Sequence, residues 1–387
     1  MQLSNSATSN IAKKQQEFHM PRNNHTTQAE KYEFICGQHG GYYRYNFVDH
    51  AYLYNLYFPP EAVFTNFKDH IHDLVLNYPV AQNALAGLIG KIINQPAERI
   101  VVGNGAAELI KIVSGHISNK LIVSVPSFNE YANAAPSGKV VEFPLEFPSF
   151  TMDIDKFAAE AIRVKADVAV VVTPNNPTSL LISKADLIRL AKKLETNNCM
   201  LIIDESFLDF ADNPDLISME REIGKHQNVT VFKSMSKAYG ICGIRIGYML
   251  TANLQFAEIM RDGVHIWNIN GFAEEFLRLL PRYNQEFIES CKQVRIDRNS
   301  LYKKLCDIEG MTVFKPAANF IFCRLPDSAQ SAQEITKKLF IKHNIYIKDC
   351  AGKTQPDADR YLRIASRTKT ENCTLVEALI DVMDVTN

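Results

Sequence analysis

The chain has 387 residues, 46% of them apolar, and a formal net charge of −1. That length exceeds one simple core and suffices for two lobes at about 100–200 residues per domain. The near-neutral, well-mixed charge argues against a broad nucleic-acid footprint and a polybasic membrane surface, and no apolar run approaches the roughly 18 residues of a membrane span.

Residues 1–34 are polar and lack the apolar core of a signal peptide, so they read as a loose arm. From about residue 85 to 250, short β-rich runs alternate with helical patterns. The runs are RIVV (99–102), KLIVSV (120–125), VAVVV (168–172), MLIID (200–204), VTVF (229–232) and IGYML (246–250). Several are apolar throughout, as in strands of a mostly parallel sheet covered by helices on both faces. Between VAVVV and MLIID, Ser183 with Asp186 predicts a helix start, and Leu187, Leu190, Ala191 and Leu194 form one apolar stripe. From about 275 the pattern becomes a long amphipathic helix, followed by FIFCRL, another helix, IYIK, YLRIA and a last helix from about Thr370. The expected division is therefore a large α/β domain over 35–274, whose segment 35–75 contributes to the substrate site, and a smaller α+β domain over 275–387. The 8 cysteines are scattered, without CxxC pairs or histidines at metal spacing. They predict reduced thiols, no metal site and a cytoplasmic protein.

Four polar stretches follow predicted strands. GNGAAELI (103–110) places glycines at a helix start, where free N–H groups suit a phosphate; a tight turn explains the glycines equally well. TPNNPTS (173–179) puts Asn176 at the sheet edge where ligands of open α/β sheets bind, though Asn-Pro is also ordinary turn chemistry. In LIIDESFLDF (201–210), Asp204 closes an apolar strand; it is a helix cap or a buried carboxylate needing a cation. In KSMSKAYGICGIRIG (233–247), Ser234, Ser236 and Arg245 surround Lys237 with phosphate-binding groups. A phosphate cradle, a carboxylate, an amide and an amine at one sheet edge match one cofactor, pyridoxal 5′-phosphate.

With these motifs the chain resembles a fold-type I pyridoxal-phosphate enzyme of the class I/II aminotransferase group over roughly residues 35–385. The resemblance implies a large domain with a mostly parallel seven-stranded sheet and a smaller α+β domain. It makes Lys237 the lysine bonded to the cofactor aldehyde and Asp204 the partner of the ring nitrogen. Asn176 then faces the 3′-oxygen, Phe128 of PSFNEY stacks on the ring, and Gly105, Ala106, Ala107, Ser234, Ser236 and Arg245 hold the phosphate. Tyr78 of NYP is similar to a tyrosine that reaches the neighbouring subunit's cofactor, implying a homodimer with shared sites.

Two branches of the group fit best, threonine-phosphate decarboxylases and histidinol-phosphate aminotransferases. QHGG (38–41), DESFLDF and YLRIASR (361–367) resemble the decarboxylases more. By that resemblance His39, Asn55 and Lys348 face a substrate phosphate, Arg363 takes the substrate carboxylate and Arg367 assists nearby. The expected reaction is decarboxylation of O-phosphoserine or O-phosphothreonine; the alternatives are transamination of a phosphorylated substrate, or a retired fold used for binding. Three departures stand out: Ser179 replaces the glycine of NPTG, Lys348 replaces an arginine, and YNLYFPPE lacks the usual NPLG.

Overall fold

The computed structural model describes residues 27–383 apart from residues 39 and 118. His39, expected at the substrate phosphate, lies outside the described residues. The strands are β1 (Val48–Asp49), β2 (Ile100–Gly103), β3 (Lys120–Val125), β4 (Val140–Pro144), β5 (Ala166–Val172), β6 (Met200–Asp204), β7 (Val229–Ser234), β8 (Gly247–Thr251), β9 (Thr312–Val313), β10 (Phe320–Arg324), β11 (Ile345–Tyr346), β12 (Lys348–Asp349) and β13 (Tyr361–Ala365). Helices that frame the site are α1 (Gln28–Cys36), α2 (Ile71–Leu76), α3 (Ala106–Gly115), α4 (Lys184–Glu195), α5 (Met235–Ala238), α6 (Gly271–Leu279) and α7 (Ala332–His343).

Seven strands form the main sheet in the order β2-β8-β7-β6-β5-β3-β4. All pairings are parallel except those of β8, which runs against β2 and β7. Its inner strands are largely apolar because both faces are covered. Val102, Val171, Ile203 and Val231 enter one core, and Val101, Val170, Ile202 and Phe232 enter the other. Each such fully buried side chain contributes roughly 1.5–3 kcal/mol. The six runs read from the sequence all lie in this sheet. The seventh strand, β4, is an edge strand with half-buried and exposed residues, which left it without an apolar run. Helix α4 starts as expected: Ser183 Oγ accepts from Asp186 N at 3.1 Å, and Leu187, Leu190, Ala191 and Leu194 are buried.

A second, antiparallel sheet has the order β12-β13-β10-β9 and its own apolar core. Two expected boundaries, after residues 34 and 274, fall within helices. A cut after residue 274 falls inside α6, a continuous helix whose Ala273, Phe276 and Leu277 are buried in the core of the main sheet. Residues 1–26 of the expected arm lie outside the described residues, and its last residues belong to α1. Thr27 and Glu30 close a reciprocal capping box, and α1 packs on α7 through Tyr32 against Phe340 and a Lys337–Glu33 pair at 2.7 Å. The following segment belongs to the same side of the molecule, since β1 pairs in parallel with β11. Among the described residues no helix is long and apolar enough to cross a membrane.

Candidate active site

The C-terminal ends of β5, β6 and β7 lie side by side, with Asp204 opposite Val172 on one strand and Phe232 on the other. The sheet therefore delivers the ends of three strands to one edge. Asp204 is buried there, and its Oδ1 accepts from Ser206 N and its Oδ2 from Tyr131 Oη, each at 2.9 Å. Burial pushes its carboxyl up, against Ser206, Tyr131 and the charge of Lys237, which all act to lower it. A carboxylate held by neutral donors in a buried place still calls for a cation.

Lys237 follows β7 on the short helix α5. Burial pulls its ammonium down; the charges of Arg363 and Arg245 act the same way, against Cys242 and Asp204. Its amine is thereby biased toward the neutral, nucleophilic form. Ser206 ties the two strand ends together, because its Oγ accepts from Ser234 N at 2.9 Å.

Beside them α3 begins at Gly105, which has φ +71° and no side-chain cap. A Cβ on Gly105 would overlap the guanidinium of Arg245, and one on Gly247 would stand 2.7 Å from Ala106 N. The glycines thus let a helix N-terminus, an arginine and a strand end approach more closely than side chains permit. Arg245 is itself at φ +62°, with Nη1 3.4 Å from Ser236 Oγ and 3.3 Å from Cys242 O. Free N–H groups of a ten-residue helix, a guanidinium and two serines suit a phosphate.

Asn176 is buried, and its Oδ1 accepts from Arg363 Nη1 at 2.9 Å. Arg363 Nη2 donates to Ala51 O at 2.6 Å, while its buried Nε has no protein partner. Arg367 is committed differently, with Nη1 on Asp49 O and Nη2 on Glu371 Oε1, both at 2.9 Å. It braces Arg363's support rather than offering a free fork. Phe128 meets Tyr131 edge-on at 6.4 Å. Lys348 stands half-exposed on β12, directly opposite Arg363 across an antiparallel pair.

Asn55 and Tyr78 have partners of their own. Asn55 is buried and spent on the lysine loop: its Nδ2 donates to Ala238 O at 2.9 Å and Ser290 Oγ at 2.8 Å, and its Oδ1 accepts from Tyr57 N. It supports the segment carrying Lys237 and has no donor left for a substrate phosphate. Tyr78 is 75% exposed and stacks on Trp267 at 4.0 Å. Sequence reasoning missed Tyr131, although its place three residues after Phe128 at the start of a helical turn puts both rings on one side.

A buried carboxylate, a buried amine and a phosphate cradle at one sheet edge match the family-level comparison. The Aminotransferase class I and II family model covers residues 55–379. The chain belongs to this family. Its cofactor is that of the family, pyridoxal 5′-phosphate, and the cradle opened by Gly105 and Gly247 and the cation-seeking Asp204 fit it. Among relatives, a CMP-5'-(3-aminopropyl)phosphonate synthase of Streptomyces rubellomurinus is 40% identical over 92% of this chain and 56% of its own length. The chain thus spans little more than half of that protein. An L-serine phosphate decarboxylase of Sulfurospirillum multivorans is 30% identical over 80% of each chain. Solved structures agree: a histidinol-phosphate aminotransferase from Clostridium acetobutylicum (TM-score 0.79, 28% identity, 87% of this chain and 99% of that one) and a decarboxylase from Sulfurospirillum multivorans (TM-score 0.78, 28% identity, 91% and 98%).

Proposed function

We propose that this class I/II family member decarboxylates an amino acid carrying a phosphoryl group at its far end. One observation carries the choice over transamination: the decarboxylases of serine phosphate match at 30–31% identity, against 25–26% for histidinol-phosphate aminotransferases. The phosphonate synthase, at 40%, keeps a phosphonate within the substrate class alongside phosphoserine and phosphothreonine.

Pyridoxal phosphate, when bound, supplies an aldehyde for the substrate amine and a ring that accepts electrons from the bond that breaks. The chain's residues supply the rest. Gly105, Ala106, Ala107, Ser234, Ser236 and Arg245 would hold the cofactor phosphate, Phe128 would pack on the ring, and Asn176 would bond the 3′-oxygen. Asp204, oriented by Tyr131 and Ser206, neutralises the ring nitrogen. Arg363 grips the substrate carboxylate and fixes which Cα bond faces the ring, with Asn176 and Ala51 O fixing Arg363 in turn. As the Cα–carboxylate bond breaks, CO₂ leaves, and Lys237 delivers a proton to Cα in its place.

We further infer a homodimer. Leu76, Tyr78, Ile266 and Trp267 form an exposed apolar surface around α2, none of whose residues is buried, and a second copy accounts for it. The 8 free cysteines fit a reducing compartment, which we take to be the cytoplasm.

The test is a product assay without any keto acid. Steady release of CO₂ and the phosphorylated amine is the expected result. A single half-turnover with no CO₂ would make the chain an aminotransferase, the reading that the structural match to the Clostridium acetobutylicum enzyme favours.

A further inference from the structure

A cation that none of the motifs includes is bound to the segment carrying Phe128. Lys353 lies between β12 and β13, and its Nζ donates to Ser127 O at 2.5 Å and to Asn129 Oδ1 at 2.7 Å. These acceptors belong to the residues on either side of Phe128, so the ammonium is tied to the segment that carries that ring. Lys348 and Arg363 are opposed across an antiparallel pair and therefore point to the same face. The Arg363 and Lys348 charges both act on Lys353 and, with burial as the largest cause, lower its ammonium to about 8, while Cys350 and Glu130 act to raise it. Lys348 is 3.9 Å from Asp349, and Arg363 keeps a buried Nε without a protein partner. Cations whose charges act on one another in this way repel unless an anion joins them.

We propose that Lys353 is a ligand of the substrate's phosphoryl dianion. Ser127 and Asn129 hold two of its three N–H protons, and the third is presented, with Lys348, to an anion beside Phe128, while Arg363 takes the carboxylate. This assignment rests on the phosphoryl-substrate reading of the preceding subsection and gives that substrate its anchor. Phosphate esters and phosphonates share the required chemistry. The loop also closes the site, because the lysine that meets the anion is the one that docks the 350–357 loop onto residues 127–129.

The experiment uses the cofactor-loaded protein and calorimetric binding of three compounds that lack an amine and so cannot react. These are phosphonooxypropionate (a phosphate ester), phosphonobutyrate (its phosphonate counterpart) and glutarate (two carboxylates, no phosphoryl group). Lys353→Met is expected to weaken both phosphoryl compounds by about tenfold or more, the loss of one charge-assisted hydrogen bond, and to leave glutarate within about twofold. Lys353→Arg is expected to retain most of the phosphoryl affinity. Just above the pH at which Lys353 titrates, wild-type binding is expected to take up a proton, read from heats in two buffers, and Lys353→Met to lose that uptake. The cofactor absorbance and melting temperature report whether each variant keeps its fold. The ratio of the two phosphoryl affinities distinguishes an ester substrate from a phosphonate. If Lys353→Met binds all three compounds as the wild type does, Lys353 is only a loop latch and the assignment is overturned. If the wild type itself binds glutarate as tightly as the phosphoryl compounds, the phosphoryl-substrate reading fails, and this assignment with it.

Discussion

Asp204 is the last residue of β6, and Asn176 and Lys237 follow β5 and β7 within one short turn. Arg363 and Arg367 instead reach backbone carbonyls 312 and 318 residues away in sequence, at Ala51 and Asp49. The cofactor floor is thus made by one sheet whose register fixes all three groups at once. The substrate wall is assembled from the second sheet and an N-terminal segment held to it by β1 and β11. Groups on the floor have their geometry set by a rigid ladder of strands, which suits chemistry that tolerates little displacement. Groups on the wall depend on the junction between two parts of the fold, which suits selection among substrates.

The largest effects are expected on the floor. Lys237→Ala removes the amine proposed to hold the cofactor and to move the proton at Cα, and turnover is expected to fall by about 10³-fold or more. Loss of the cofactor's visible absorbance band in the purified variant, beside the rate, checks it. A variant that kept both would place the reacting amine elsewhere. On the wall, Arg363→Lys keeps the charge but loses the fork that spans Asn176 and Ala51 O. The kcat/KM for the phosphorylated amino acid is expected to drop by roughly 10²-fold. If the floor and wall divide their work, KM rises while the cofactor spectrum is unchanged.

The same division governs how much could be read from the sequence. Floor residues advertise themselves: each follows a run of apolar residues, and the polar switch after VAVVV, MLIID or VTVF marks a strand's end. The main sheet was legible for the same reason, with β4 escaping because an edge strand has no need of a continuous apolar run. Wall residues carry no such mark. Arg363 stands out in YLRIA only as a charge in a strand, and nothing local indicates that its partners are Asn176 and Ala51. Asn55 is placed at the substrate by resemblance alone, whereas a contact 183 residues away, at Ala238, uses its amide. Lys353 sits in a polar loop that reads as surface. The helix over 28–36 was hidden because its stripe of apolar residues is weak; two buried residues, Tyr32 and Ile35, anchor it.

Tyr131 offers a finer cut, since its hydroxyl reaches the floor through Asp204. Removing its hydroxyl takes away one of the donors that lower the carboxyl, so Tyr131→Phe raises the Asp204 carboxyl further. The sign follows directly: Asp204 acts as the anion, its function is lost as pH falls through its pKa, and a higher pKa moves that loss to higher pH. The acid limb of kcat/KM is expected to shift upward, with a loss of about tenfold near neutrality. An unchanged limb would mean that Tyr131 serves packing alone.

The smallest effect tests the junction itself. Ser179 occupies the left-handed region, φ +61°, where the group usually has glycine, and it is buried. Its Oγ accepts from Ala317 N at 2.8 Å and Ala318 N at 3.0 Å, so a loop of the floor is tied to the segment leading into β10 of the wall. Two backbone hydrogen bonds at about 1 kcal/mol each outweigh a left-handed serine that costs roughly 1 kcal/mol relative to glycine. Ser179→Ala keeps the unfavourable backbone and loses both bonds, so about 2 kcal/mol of stability is expected to go. Ser179→Gly loses the same bonds but relieves the backbone, and about 1 kcal/mol is expected. The ordering wild type, glycine, alanine in denaturant unfolding separates this account from a simple packing effect, in which the smaller glycine would be the worse of the two. If the tie also sets the wall against the floor, both variants raise KM more than they lower kcat, and amide exchange quickens at 317 and 318 before it does in the main sheet.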